Sequence, residues 1–89
     1  MQSVEMHQGE RRVIGVEVTS CDPEPFTIRN PVYRLKYGET VEVEGKPSVQ
    51  DHQMTVIIEP LNTGRYTLEC EVEIANEVII RRLPVYVRD

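Results

Sequence analysis

The feature that most constrains the fold is a run of strict alternation from Tyr66 to Ile74. Apolar side chains occupy its even-numbered positions, while Thr67 and three glutamates occupy the odd ones. Because successive side chains of a β-strand point to opposite faces, the run predicts a strand with one buried and one solvated face. Apolar residues recur at helical spacing in no window of ten or more residues. The sequence therefore predicts an all-β fold.

Turn residues divide the rest of the chain into further short alternating segments. The predicted strands span residues 3–6, 12–19, 32–37, 40–44, 54–59, 66–74 and 79–87. Short strands separated by turn signals are typical of a sandwich or barrel. A chain of 89 residues has room for one domain. We therefore predict a single immunoglobulin-like antiparallel β-sandwich of about seven strands, covering residues 1–89.

The last two predicted strands give a register that the structure can test. A two-residue tip at Asn76-Glu77 places Glu71 opposite Arg82, and the apolar faces of the two strands then coincide along nearly the whole hairpin. Arg81 falls on the inward face in this register, so we expect it near an open end of the sandwich, with its stem packed and its head in water.

A corner motif precedes the strongest strand. Gly64 stands two residues before Tyr66, and both follow the turn-forming residues Asn62 and Thr63. In immunoglobulin-like domains a tyrosine near the start of the sixth strand hydrogen-bonds back to the preceding corner, where a glycine allows a sharp reversal. The pattern predicts a structural tyrosine corner formed by Gly64 and Tyr66.

The two cysteines differ in phase. Cys70 occupies an inward position of the alternating strand, whereas Cys21 is out of phase with the inward positions before it and adjoins a Pro-rich break at residues 21–25. The pattern favours Cys70 as a small buried hydrophobe over a disulfide between the two.

Charge and motif spacing argue against several functions. The formal net charge of −5 disfavours nucleic acid and anionic membranes, which need a basic footprint. The histidines and cysteines share no metal-ligand spacing, and no serine lies in a nucleophile motif. The longest aliphatic run, at residues 78–80, is too short to cross a bilayer. We expect a soluble protein made in the cytoplasm, with no enzyme activity, metal or cofactor.

Charged residues concentrate on the outward side of the predicted sheet. In a sandwich the third strand borders the sixth, which brings cations beside the glutamates of the alternating run. The pattern fits a solvated charged face that discourages aggregation, or a face that docks another protein. The candidate docking face comprises Arg34, Lys36, Glu69, Glu71, Glu73 and Arg82. The spacing of these carboxylates also matches that in some glycosidases, but any alternating glutamate run produces it.

The order of turn motifs resembles an immunoglobulin-like domain of phage tail and baseplate proteins, such as the N-terminal domain of baseplate upper proteins. The matching motifs are Gln8-Gly9-Glu10, residues 22–26, and the Leu-x-x-Gly-x-Tyr corner at residues 61–66. Cys21 and Asp22 stand where that family has a glycine, and the chain has no helical extension after the sandwich. The resemblance implies a structural or adaptor module of a virion, which docks onto other structural proteins or onto itself as a homo-oligomer.

Carbohydrate or cell-surface binding is the alternative function. Sugars stack on exposed aromatic rings, and the chain has four tyrosines and one phenylalanine but no tryptophan. At least two of these rings are expected in the core, so the sequence favours protein docking.

Overall fold

The computed structural model describes residues 3–18 and 27–89. The Pro-rich break, with Cys21 and Phe26, lies outside the described residues. The described part of the chain forms eight strands and no helix, which confirms the all-β prediction. The strands are β1 Val4–His7, β2 Arg12–Glu17, β3 Arg29–Tyr37, β4 Thr40–Gly45, β5 Ser48–Gln50, β6 Gln53–Ile58, β7 Gly64–Ile74 and β8 Glu77–Arg88.

The strands form two sheets. One sheet has five strands in the order β1-β8-β7-β3-β4, and the other has three strands in the order β2-β6-β5. The pairing departs from a wholly antiparallel arrangement, because β1 runs parallel to β8, with Val4 opposite Val85. The remaining pairs are antiparallel.

The core forms where the apolar positions of both sheets meet. Ile14 on β2 is buried, and so are alternate residues of β6 and β7, as the alternation predicts. The buried apolar residues in the described part of the chain are Met6, Ile14, Leu35, Met54, Val56, Ile58, Tyr66, Leu68, Cys70, Val72, Val85 and Val87. Seven observed strands overlap the seven predicted ones. The three-residue β5 was missed because Ser48–Gln50 is too short to show alternation.

The register predicted for the last hairpin is wrong by two residues. Its tip is Ala75-Asn76, with Ala75 at φ 54°, so that Ile74 lies opposite Glu77. Arg82 consequently lies opposite Glu69, two residues from the predicted Glu71. Because side chains alternate with a period of two, an even shift changes the partners and leaves every residue on its predicted face.

A bulge on β4 redirects one carboxylate. Leu35 lies opposite Val43 and Lys36 lies opposite Val41, which leaves Glu42 as the extra residue on β4. A bulge of this kind re-aims a side chain. The Glu42 side chain reaches the corner between β6 and β7.

Candidate functional site

Glu69 lies at the centre of the outer face of the five-stranded sheet. The alternation of β7 directs it away from the core, yet the residue is only 4% exposed. Strand register explains its neighbours, since Arg34 on β3 and Arg82 on β8 both lie directly opposite it. Long side chains from both flanking strands therefore cover the carboxylate.

Three cations bind the Glu69 carboxylate. Its Oε1 accepts a hydrogen bond from Arg34 Nη1 at 3.1 Å. Its Oε2 accepts from Lys36 Nζ at 3.2 Å and from Arg82 Nε at 3.0 Å. Burial opposes ionisation of this carboxyl, but the hydrogen bonds and charges of Lys36 and Arg82 outweigh it, so the pKa of Glu69 is lowered.

Two further carboxylates extend this network through Arg34. Arg34 Nε donates to Glu44 Oε2 at 2.9 Å, and Arg34 Nη1 lies 3.5 Å from Glu71 Oε1. The hydrogen bond to Glu44 is the main reason that the pKa of Arg34 is raised. We call these six residues the Glu69 cluster: Arg34, Lys36, Glu44, Glu69, Glu71 and Arg82. With three cations and three carboxylates, its formal charge is zero.

The structure brings five of the six predicted docking-face residues together and separates the sixth. Glu73 lies further along β7, where its carboxylate accepts a hydrogen bond from Asn30 Nδ2. Glu44 belongs to the cluster, although no pattern in the sequence assigned it to this face. Its position depends on the register across the β4 bulge, which alternation does not reveal.

Exposed apolar side chains surround the cluster on the same outer face. Val41 lies opposite Lys36 and is 42% exposed, and Ile80 lies opposite Glu71 and is 37% exposed. Tyr86 is also exposed, and the guanidinium of Arg65 lies 6.0 Å from its ring centroid. We call this surface, with the Glu69 cluster at its centre, the docking face. It combines a fixed polar centre with an apolar surround.

The corner before β7 is held by the Tyr66 hydroxyl. Tyr66 is fully buried, and its hydroxyl accepts a hydrogen bond from the backbone N–H of Asn62 at 3.0 Å. The same hydroxyl donates to Glu42 Oε1 at 2.6 Å. Glu42 Oε2 accepts from the backbone N–H of Leu61 at 3.3 Å. Burial, followed by the hydrogen bond to Glu42, raises the pKa of Tyr66.

Gly64 is needed at this corner for conformation and for space. Residues with a side chain rarely adopt its φ of 123°. A Cβ at this position would also lie 3.2 Å from the Tyr37 hydroxyl oxygen. The Tyr37 hydroxyl donates to the carbonyl of Thr63 at 2.9 Å, and its ring centroid lies 4.7 Å from that of Tyr66. Each tyrosine hydroxyl is therefore hydrogen-bonded to the backbone of the corner, Tyr37 to Thr63 and Tyr66 to Asn62.

Two turn motifs from the sequence analysis meet in space. Gln8 Nε2 donates to the carbonyl of Leu61 at 2.9 Å, which links the β1–β2 turn to the corner. Within that turn the Glu10 carboxylate accepts a hydrogen bond from the backbone N–H of His7, which is the main cause of its lowered pKa. Both contacts hold backbone, so their role is structural.

The described residues also contain a small cleft beside the buried Cys70. A cleft of about 100 Å³ has Val16, Met54, Cys70, Val72 and Arg81 among its lining residues. Burial raises the pKa of the Cys70 thiol, so it remains protonated at neutral pH. In residues 3–18 and 27–89, no group of three or more His, Cys, Asp or Glu residues is placed to hold a metal ion. That part of the chain also has no helix able to span a membrane.

Comparison with known proteins informs the fold. No family model matches the chain, and no curated protein matches it. A crystal structure of an engineered protein is similar, with a TM-score of 0.76 over 98% of this chain and 14% sequence identity. This chain covers 18% of the length of that protein. The similarity shows that the fold occurs within a larger chain, and it concerns the fold alone.

Proposed function

We propose that the protein is a non-catalytic docking module that binds another protein through its docking face. The observation that carries this proposal is the Glu69 cluster. Three long cationic side chains are held on one buried carboxylate, so they lose little conformational freedom when a partner covers them. The apolar surround of Val41 and Ile80 supplies the surface whose burial drives association.

The proposed fold is an immunoglobulin-like sandwich. If β2 to β8 are lettered B, C, C′, D, E, F and G, the sheets contain B-E-D and C′-C-F-G, which is the immunoglobulin arrangement with a C′ strand added to the C-F-G sheet. The hydrogen bond from the Asn62 N–H to the Tyr66 hydroxyl, near the start of strand F, has the geometry of a tyrosine corner. Strand order and corner both support this assignment.

The proposed biological setting is a phage or prophage tail or baseplate. It rests on the sequence resemblance carried by Gln8-Gly9-Glu10 and by the corner at residues 61–66. In this setting the partner is another structural protein of the particle, and the virion is where the module acts.

The test uses the proteins encoded beside this one, each produced separately and immobilised for biolayer interferometry. The face variant is Ile80→Lys, which puts a charge into the apolar surround of the docking face. The matched control is Val13→Lys, an exposed valine on the outer face of the three-stranded sheet.

We expect one neighbouring protein to bind the wild type, and Ile80→Lys to weaken that binding by at least about tenfold. Val13→Lys should bind like the wild type. Equal weakening by both variants, or binding by none of the neighbouring proteins, would contradict the proposed docking role.

A further inference from the structure

Among the sheet edges in the described residues, β2 is the one without a short length, a bulge or a central charge to hinder pairing with another strand. Strand β1 has four residues and β5 has three, while β4 is bulged and carries Glu42 and Glu44. Such short, bulged or charged edges resist pairing with another strand. Strand β2 has six residues, without proline, and its centre from Val13 to Val16 is uncharged. No described strand pairs with its second side.

An apolar patch adjoins this edge on the outer face of the three-stranded sheet. Val13 and Ile57 lie directly opposite each other and are 63% and 57% exposed. Arg11 and Glu59 form an ion pair of 2.8 Å beside them. An exposed apolar pair next to an open edge is a surface that a further strand would cover.

We propose that β2 pairs antiparallel with β2 of a second copy, which joins two three-stranded sheets into one sheet of six strands. Directly opposite residues of such a pair share a face. Placing Ile14 opposite its own copy meets this condition. Val13 then lies opposite Gly15, and Arg11 lies opposite Glu17 of the second copy. The register brings the Val13–Ile57 patches of both copies together across the junction.

The charges at the ends of β2 and the space beside Gly15 identify the partner strand as β2 of a second copy. The twofold axis places Arg11 opposite Glu17 at both ends of the strand pair. Glu17 is exposed and forms no ion pair within residues 3–18 and 27–89. Gly15 has no side chain, so it leaves room for Val13 of the partner. An isologous contact of this kind closes as a dimer.

The interface is small, which sets its expected strength. Seven paired residues of each copy, 11 to 17, span about 23 Å, and the contact is below the standard interface size of about 1,600 Å². The dimer should therefore be weak and depend on concentration. It goes beyond the proposed docking role, because it uses the opposite sheet and leaves the docking face open.

The test is light scattering after size-exclusion chromatography, from about 10 μM to about 1 mM protein. The wild type should shift from the monomer mass of 10.3 kDa towards twice that mass. Val13→Lys should raise the dissociation constant by at least about tenfold. The matched control Val78→Lys changes a valine that is 57% exposed on the other sheet, and it should dimerise like the wild type.

Charge exchange tests the register. Glu17→Arg should weaken the dimer by placing Arg11 opposite an arginine. The triple variant Arg11→Glu, Glu17→Arg, Glu59→Arg should restore it, because it also reverses the ion pair between residues 11 and 59. A wild type that stays monomeric, a dimer insensitive to Val13→Lys, or a triple variant without recovery would each overturn the proposal. Ile80→Lys should leave the dimer intact, so a failed dimer and a failed docking role give different results.

Discussion

At the scale of single residues, Glu69 is the carboxylate on which the docking face depends. Its side chain is 6% exposed, and its three cationic partners are 24%, 30% and 63% exposed. A buried charge is tolerated only when it is paired and hydrogen-bonded. The cations on β3 and β8 satisfy this requirement while their own head groups retain some water.

Glu69→Gln should therefore destabilise the protein. The three cations lose their shared carboxylate, but their partial exposure lets water replace part of it. We expect a loss of about 1–2 kcal/mol, below the ~3–5 kcal/mol for breaking a fully buried pair. Urea unfolding followed by circular dichroism measures the change. The control Glu71→Gln removes one 3.5 Å contact and should cost less than about 0.5 kcal/mol. Equal losses would contradict a central role for Glu69.

The lowered pKa of Glu69 makes its contribution to stability depend on pH. The pKa of Glu69 is lower in the folded protein than its ordinary value of 4.5. Ionised Glu69 therefore contributes stability above that value, and the contribution is lost as the pH falls through the lowered folded pKa. The stability difference between wild type and Glu69→Gln should be full at pH 7 and shrink on acidification below about pH 4.5. Unfolding curves along a pH series measure it, and a constant difference would be inconsistent with ionised Glu69 as the stabilising species.

Tyr66→Phe tests the hydroxyl at the corner. The change removes one acceptor for the Asn62 N–H and one donor to Glu42 while keeping the ring in the core. Leaving such groups unsatisfied should cost about 1–3 kcal/mol in unfolding free energy. Tyr37→Phe is the matched control, because it removes a single hydrogen bond from a more exposed tyrosine. A loss in Tyr66→Phe no larger than in this control would show that the hydroxyl does not hold the corner.

At the scale of elements, two glycine turns differ in how strictly they need glycine. Gly64 has φ 123° and lies against Tyr37, whereas Gly38 has φ 62° and a Cβ added there would meet no atom within 4 Å. Gly38→Ala should cost about 1 kcal/mol because of its left-handed backbone alone. Gly64→Ala adds a steric conflict and should cost about 2–3 kcal/mol. Thermal unfolding of both variants decides the order, and the reverse order would contradict a corner closed against Tyr37.

Elements with long alternation were predictable, and their registers were not. The strand from Tyr66 to Ile74 and its two faces were predictable, because apolar and polar residues alternate along it with a period of two. The tip of the neighbouring hairpin was misplaced because Ala75 adopts a left-handed conformation, which the residue type alanine does not predict. The bulge at Glu42 was equally invisible, since an extra residue in a strand depends on its partner.

At the scale of the whole molecule, the sequence predicted which side chains face outward but not how they combine. Arg34 and Lys36 were expected near the glutamates of β7, and they do contact Glu69. The burial of one glutamate by three cations depends on the combined register of β3, β7 and β8, which the sequence does not give. The parallel pairing of β1 with β8 is a tertiary contact that a short segment such as Val4–His7 does not encode.

The most direct test of the docking role is a heteronuclear NMR titration of the isotope-labelled protein with the neighbouring protein that binds it. We predict the largest chemical-shift changes at Lys36, Glu69, Ile80 and their neighbours on the outer face of the five-stranded sheet, with β2 unaffected. Changes confined to β2 or to the turns, with the Glu69 cluster unmoved, would contradict docking through this face.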